Sequence, residues 1–186
     1  MHDLQAISPL GGVAPRTDVV AGVILTEVTG FALASVAARL GGEAPTMALV
    51  AQQIGAAAPG PGRAAGHSLS AFWVGPDQWM IEAPFETHED LVERLVAQAG
   101  GHASITEQSD GWCRFDLRGP GLAEIFALLC ALDFPSFTGG EATRTSIEHL
   151  GCFVICRAVD HASVIGPRSA AGSLHHALLT AMRAAL

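Results

Sequence analysis

SAFWVGPDQWMIEAPFETHEDLVERLVAQAGG, residues 70–101, is the stretch on which the fold turns. Residues 70–74 and 79–83 are short apolar and aromatic runs flanking Gly75-Pro76-Asp77-Gln78, whose residue types suit a turn, so the pair predicts a β-hairpin. Thr87 then predicts a helix N-cap with Asp90 placed for a capping-box contact. Leu91, Val92, Leu95, Val96 and Ala99 fall on one helical stripe, and Gly100-Gly101 supplies the stop. The stretch therefore reads as one strand-strand-helix unit.

Working outward, the same unit recurs twice downstream. Residues 102–107 and 112–117 flank Ser109-Asp110-Gly111, a hairpin signal, and Pro120 opens a helix with Leu122, Ile125, Phe126 and Leu129 on one face, ended by Asp133-Phe134-Pro135. Residues 142–149, 152–158 and 162–165 read as strands, followed by a helix from about Ser169 that bears Leu174, Ala177, Leu178, Ala181 and Met182. Upstream, the Pro/Gly-rich segment 56–66, AAAPGPGRAAG, suits neither helix nor strand and predicts a loop separating an N-terminal segment from the three units. In that segment 19–28 suits a strand, 31–40 suits helix or strand, and 45–54 suits a helix. Hairpins joined to packing helices give an α+β class: antiparallel sheets from repeated strand-strand-helix units, helices on one face, two interlocked subdomains within a single domain spanning 1–186.

Composition bounds the function. The chain has 18 acids against 10 bases, a net charge of -8, and every base is arginine. The absence of lysine excludes Schiff-base chemistry, pyridoxal attachment and P-loops. Scattered single arginines disfavour nucleic-acid binding, which needs a dense basic stripe. Hydrophobic residues make up 49% and charged residues 15%, where about 25% is usual, which excludes disorder and predicts a lasting partner interface. Met1, His2, Asp3 and Arg16 form no basic cluster, so no secretory signal is expected. The most apolar run, 19–38, carries Glu27 at its middle, so no membrane span is expected either, and the reading is cytoplasmic.

Candidate chemistry is sparse. Gly60, Gly62 and Gly66 are interleaved with prolines and follow no strand, so they read as a connector rather than a dinucleotide loop. Cys113, Cys130, Cys152 and Cys156 lack zinc or redox spacing and read as core residues. Glu148-His149 would alternate faces on a strand, and the adjacent His175 and His176 read as surface or interface histidines pointing apart. Asp110 stands at a turn beside Trp112. Gly166-Pro167-Arg168-Ser169 places an arginine and a hydroxyl at a helix start, where backbone amides attract anions. Trp73, Trp79 and Trp112 read as strand aromatics, in the core or at an interface. No set of nucleophile, base and orienting group emerges. Asp110, Trp112, Arg144, His149, Arg168 and His176 are the candidate interface or ligand residues, and no catalytic, cofactor-binding or metal-binding residue is expected.

The stretches SPLGG from Ser8, GPDQWMIEAP from Gly75, HEDL from His88, ASITEQSDGWCRFDLRGPG from Ala103, ATRTSIEHLGCFVICR from Ala142 and GPRSAAGSLHHAL from Gly166 resemble the gamma subunits of heterotetrameric sarcosine oxidases. The resemblance implies a subunit of a cytoplasmic flavoenzyme of alpha, beta, gamma and delta chains. Such an enzyme oxidatively demethylates sarcosine to glycine, yielding hydrogen peroxide and formaldehyde or methylene-tetrahydrofolate. It implies that FAD, FMN, NAD and tetrahydrofolate belong to the two large subunits and zinc to the delta chain, with this chain cofactor-free and inactive alone. It also implies a fold similar to the folate-binding aminomethyltransferases and the N-terminal domain of the tRNA-modifying GTPase TrmE. The alternative is a free-standing folate or one-carbon carrier domain, although the glycine-rich segment that aminomethyltransferases carry before the last helix is not reproduced between Glu148 and Arg157.

Overall fold

The structure is a computed structural model that describes residues 6–186, so Met1, His2 and Asp3 lie outside the described residues. In chain order its elements are strands β1 (Thr17–Val20), β2 (Val23–Val28) and β3 (Phe31–Ala38), helix α1 (Glu43–Ile54), strands β4 (Ala64–Gly66), β5 (Ser70–Gly75) and β6 (Gln78–Pro84), helix α2 (Leu91–Ala99), strands β7 (Ala103–Glu107) and β8 (Trp112–Arg118), helix α3 (Leu122–Leu129), strands β9 (Ala142–Ile147), β10 (Leu150–Ala158) and β11 (His161–Pro167), and helix α4 (Ala171–Ala185). The class is α+β, with antiparallel sheets of six and five strands.

The five-stranded sheet, in the order β4-β5-β6-β3-β7, belongs to a unit formed by residues 30–110 and 140–142. Its hairpin β5–β6 pairs Trp73 with Trp79, as the sequence predicts. Alternation along β3 and β6 puts Ala32, Ala34, Val36, Trp79, Ile81 and Ala83 on one face, where they pack with Leu49, Val50 and Ile54 of α1 and Leu91, Leu95 and Ala99 of α2. Small residues on the sheet let the two helices come close. Trp79 fills the space they leave and donates its indole Nε1 to the Pro59 carbonyl at 2.8 Å, satisfying the ring's polar atom.

Several expectations need correction here. Helix α2 begins at Leu91, not after Thr87: residues 85–87 form a 3-10 turn, and Thr87 donates to Pro84 O at 3.4 Å instead of capping α2. Val96, assigned to the apolar stripe, is 55% exposed. The segment 56–66 ends in a strand, because Ala64–Gly66 pairs with β5. It lies inside this unit, with β3 and α1 on one side of it and β5 on the other.

The six-stranded sheet, in the order β1-β2-β8-β11-β10-β9, belongs to the second unit, which comprises the residues up to Thr29, 111–139 and 143–186. Residues 19–28 are not one strand but parts of a hairpin, turned at Ala21-Gly22, where φ is 45° and 86°. Cys113, Phe115 and Leu117 of β8, Ala162 and Val164 of β11, and Cys152, Val154 and Cys156 of β10 line one face. Against it pack Ile125 and Phe126 of α3 and Leu174, Leu178 and Met182 of α4. Phe126 stacks on Phe134 with ring centroids 4.4 Å apart, so the 3-10 turn after α3 closes the core.

The expected hairpin around Ser109-Asp110-Gly111 does not form. β7 pairs with β3 in one sheet while β8 pairs with β2 and β11 in the other. Ser109 is held instead by the end of β7 and by β3: its amide donates to Glu107 Oε1 at 2.8 Å, and its hydroxyl accepts from Leu33 N at 2.9 Å. The turn residues redirect the chain without pairing the strands they join. The third repeat has three strands, β9 to β11, before α4.

Candidate functional site

On the face of the six-stranded sheet opposite the helices, side chains alternate out of phase with the core. β8 contributes Arg114, Asp116 and Arg118, β11 contributes His161 and Ser163, and β10 contributes Arg157, with Asp116 paired to Ser163 and Ser163 to Ile155 in register. Asp116, only 5% exposed, is the hub. It accepts from Arg114 Nε at 2.8 Å and Nη2 at 2.9 Å, from Ser163 Oγ at 2.8 Å, and is 3.0 Å from His161 Nε2. Arg157 Nε donates to Ser163 Oγ at 3.0 Å. Burial is the largest single influence on the Asp116 carboxyl and acts to raise its pKa. The hydrogen bonds from His161, Arg114 and Ser163 and the Arg114 charge together outweigh it and hold the group far below the ordinary carboxylate range.

The residue types invite comparison with a nucleophilic triad, but the connectivity differs. Ser163 and His161 each bond to a different oxygen of Asp116. A triad needs the imidazole between hydroxyl and carboxylate, so that it can take the hydroxyl proton. Here the carboxylate stands between the other two, and the arrangement fixes strands β8, β11 and β10 to one another. Sequence reasoning missed this cluster, although the period-two alternation of RFDLR at 114–118 carried the signal: Arg114, Asp116 and Arg118 share the face that Phe115 and Leu117 leave.

A second polar group ties β1 to α4. His175, expected at the surface, is buried. Its Nε2 lies 2.8 Å from Asp18 Oδ2, and its ring sits 5.7 Å from that of Phe115. The Arg16 hydrogen bond is the main cause holding the Asp18 carboxyl below its usual range. Glu27, 2% exposed, accepts from the amides of Leu10 at 2.8 Å and Arg16 at 3.0 Å, so the SPLGG segment is fastened by a carboxylate from β2.

The six candidate residues do not converge on one site. Trp112 and Arg144 gather at Phe153, whose ring lies 5.6 Å from the Trp112 ring and 5.9 Å from Arg144 Cζ. Asp110 is exposed in the segment between β7 and β8. Arg168 donates from Nη2 to the Ile7 carbonyl at 3.2 Å, and the 3-10 turn 168–170 precedes α4, which has no side-chain cap. Ser169 therefore lies in the 3-10 turn and does not cap α4, which begins at Ala171. Gly166 serves packing, since a Cβ there would stand 2.6 Å from Leu174 Cδ2 and 3.2 Å from Cys152 Sγ. Glu148 and His149 are not on a strand. They form the turn between β9 and β10, both with positive φ, 47° and 66°. His149 is exposed, while Glu148 and His176 line a groove of about 830 Å³ beside α3 and α4.

Among the described residues, no group of three histidine, cysteine or acidic side chains is placed to hold a metal. Burial pushes the thiols of Cys113 and Cys152 up to about 11, so at neutral pH neither is a ready thiolate ligand or nucleophile. Among the described residues no helix is long and apolar enough to cross a membrane.

No protein-family profile and no curated protein matches the sequence. Solved structures do share its fold. A chain of the heterotetrameric sarcosine oxidase from Corynebacterium sp. U-96, solved in complex with pyrrole 2-carboxylate, superposes with a TM-score of 0.73 at 23% identity, covering 86% of this chain and 83% of that one. The glycine cleavage system aminomethyltransferase T from Bartonella henselae superposes with a TM-score of 0.65 at 14% identity, covering 86% of this chain and 46% of that one. The chain thus has the fold common to a sarcosine oxidase chain and part of an aminomethyltransferase.

Proposed function

We propose that this chain is the gamma subunit of a cytoplasmic heterotetrameric sarcosine oxidase and that it acts by assembly, not by chemistry. The observation that supports the reading is the match in extent as well as fold: 83% of the sarcosine oxidase chain is covered, against 46% of the aminomethyltransferase chain. The assembled enzyme would oxidatively demethylate sarcosine to glycine, with hydrogen peroxide and either formaldehyde or methylene-tetrahydrofolate as products. Its alpha and beta chains would hold FAD, FMN, NAD and tetrahydrofolate, and its delta chain zinc. Amine oxidation needs an electron acceptor, and cofactors carry such chemistry while protein groups bind and orient. The polar clusters of this chain are bonded into the fold, with Ser163 and His161 both committed to Asp116. A subunit of this kind raises turnover by favouring the folded state of its partners through mass action.

Co-expression with the neighbouring reading frames, followed by sizing and by amine oxidation measured per bound flavin, tests the reading. Alanine at Asp110, Arg144, His149, Arg168 or His176 should change the yield of complex more than turnover per flavin. A fall of about a hundredfold, or about 2.7 kcal/mol, in a complex that assembles normally would assign a catalytic group to this chain. The aminomethyltransferase likeness keeps a second reading in play, a free-standing folate or one-carbon carrier domain. Tetrahydrofolate titrated calorimetrically into the purified chain separates the two, since the subunit reading expects no heat of binding.

A further inference from the structure

Residues 6–16 precede β1 as a strap that the six-stranded unit holds mainly by polar contacts. On one side Glu27 of β2 accepts the Leu10 amide through Oε1 at 2.8 Å and the Arg16 amide through Oε2 at 3.0 Å, while its own amide donates to Arg16 O at 2.8 Å. On the other, Arg168 donates from Nη2 to Ile7 O at 3.2 Å. Between these fastenings the strap closes on itself: Ser8 N donates to Gly12 O at 2.8 Å, Gly11 N to Ser8 O at 2.8 Å, and Gly12 N to Ser8 Oγ at 3.2 Å. Its apolar hold is slight. Leu10 packs against the core partly buried, whereas Ile7 and Val13 are exposed. A segment with few buried apolar contacts belongs to the low-stability end of a structure, and one that keeps its own turn moves as a piece.

Strand register puts Cys113 between the two fastenings. Glu27 stands opposite Phe115 on the face that the helices cover, and Cys113 is the neighbouring core position of β8 on that face, opposite Gly166. Arg168 closes the far side, its amide donating to Gly111 O at 3.0 Å. Cys113 is fully buried, with Sγ 3.4 Å from Gly166 O and 3.7 Å from Pro167 O. Burial dominates its thiol, and the side-chain charges that act on it are those of Glu27 and Arg168, the two residues that fasten the strap. We propose that residues 6–16 form a lid that opens as one piece over the Cys113 end of the six-stranded core, with Glu27 as its latch. The latch works as a carboxylate because each oxygen accepts one amide. A carboxamide keeps one acceptor and turns an NH2 group toward the other amide.

Native-state hydrogen exchange of the purified full chain, read amide by amide at low denaturant, measures the opening directly. The amides of Leu10, Gly11, Gly12 and Arg16 should exchange together and ahead of β8, β10 and β11. Glu27→Gln should speed them about tenfold or more while β10 and β11 keep their protection, and Arg168→Ala should speed them by a smaller factor. Thiol labelling resolved by mass spectrometry gives a second readout. Cys113 should be labelled ahead of Cys152 and Cys156, which are equally buried, and Glu27→Gln should widen that lead. Strap amides that exchange only with global unfolding overturn the proposal. So does a folded Glu27→Gln variant whose strap exchanges at the wild-type rate, and so does a Cys113 labelled no sooner than the other two. If Glu27→Gln fails to fold, wild-type exchange and labelling decide. Neither measurement involves flavin or turnover, so the outcome is independent of the sarcosine oxidase reading.

Discussion

The five-stranded unit takes nearly all its residues from one continuous stretch, 30–110, whereas the six-stranded unit is assembled from three stretches that end at Thr29, at Gly139 and at the C-terminus. In the first, β5 and β6 pair across a short turn. In the second, Ile24 pairs with Arg118 and Trp112 with Pro167, so strands far apart in sequence must meet before any of their burial is gained. Loop closure raises the cost of such pairings in proportion to the logarithm of the separation. The two units also differ on the sheet faces away from their helices. The six-stranded sheet binds three strands together with the Arg114–Asp116–His161–Ser163–Arg157 cluster, a polar device that fixes register across non-local neighbours. The five-stranded sheet carries on that face the buried pair Ser70–Glu82, with Ser70 Oγ donating to Glu82 Oε2 at 3.1 Å within the β5–β6 hairpin. Its β3 reaches β6 and β7 across long separations in sequence, with Trp79 and alanines packed on the helix side.

If that contrast is right, the most damaging single change in the long-range unit removes its hub. Asp116→Ala leaves Arg114 and His161 without their buried carboxylate, a loss of the kind that costs about 3 to 5 kcal/mol. Chemical denaturation should show it, and hydrogen exchange should show the protection lost first from β8, β10 and β11, with β5 and β6 holding longer. Equal loss in both units would erase the distinction. Because the folded carboxyl has a pKa far below its unfolded value, its contribution is complete above about pH 4 and declines as pH falls below that toward the folded value. Asp116→Asn should flatten this acid limb relative to the wild type. An unchanged limb would assign the acid sensitivity elsewhere.

The local unit has its own anchor. Trp79→Phe removes the indole donor to Pro59 O and leaves that carbonyl without its bond, a change expected to cost about 2 to 3 kcal/mol. Its signature should be loss of exchange protection in β5, β6 and α1 with β8 and β11 unaffected. A spread into the six-stranded sheet would show that the units unfold as one.

The same division explains what could be read from the residues. The 70–101 hairpin and helix were legible because turn chemistry, alternation and the αL glycine stop at Gly100 all act within one short stretch. The placement of β7 and β8 in different sheets was not, since Ser109-Asp110-Gly111 specifies that the chain bends and says nothing about which strands then pair. Residues 31–40 were ambiguous for a related reason: Ala-rich sequence suits either helix or strand until a neighbour decides, and here β6 and β7 flank it on both sides. Of the candidate residues, Trp112 and Arg144 meet at Phe153, a meeting that depends on strand register and that neither residue type announces. His175 was misplaced because its partner, Asp18, lies 157 residues away.

Gly166→Ala probes how closely α4 approaches β11. The new Cβ would meet Leu174 Cδ2 at 2.6 Å and Cys152 Sγ at 3.2 Å, and both partners are fully buried. Overpacking of this kind costs about 1 to 3 kcal/mol. A melting temperature within error of the wild type would mean that helix and sheet separate freely, and the tight seam inferred for the six-stranded unit would be wrong.

The smallest effect has the opposite sign and concerns two of the local turns in the six-stranded sheet. Both link adjacent antiparallel strands through consecutive residues of positive φ, Ala21-Gly22 between β1 and β2 and Glu148-His149 between β9 and β10. The first uses glycine at its second position, where a primed hairpin turn favours it, and the second uses none. A non-glycine residue in the left-handed region costs about 1 to 2 kcal/mol, and glycine returns part of that gain through about 0.5 to 1 kcal/mol of extra chain entropy in the unfolded state. His149→Gly should therefore stabilise the protein by about 0.5 to 1 kcal/mol, with Gly22→Ala destabilising it by a similar amount. Equilibrium denaturation of the two variants measures both. If His149→Gly is neutral or destabilising while Gly22→Ala behaves as expected, the side chain of His149 contributes binding free energy within the fold that its exposed position does not suggest, and the β9–β10 turn is held by more than backbone preference.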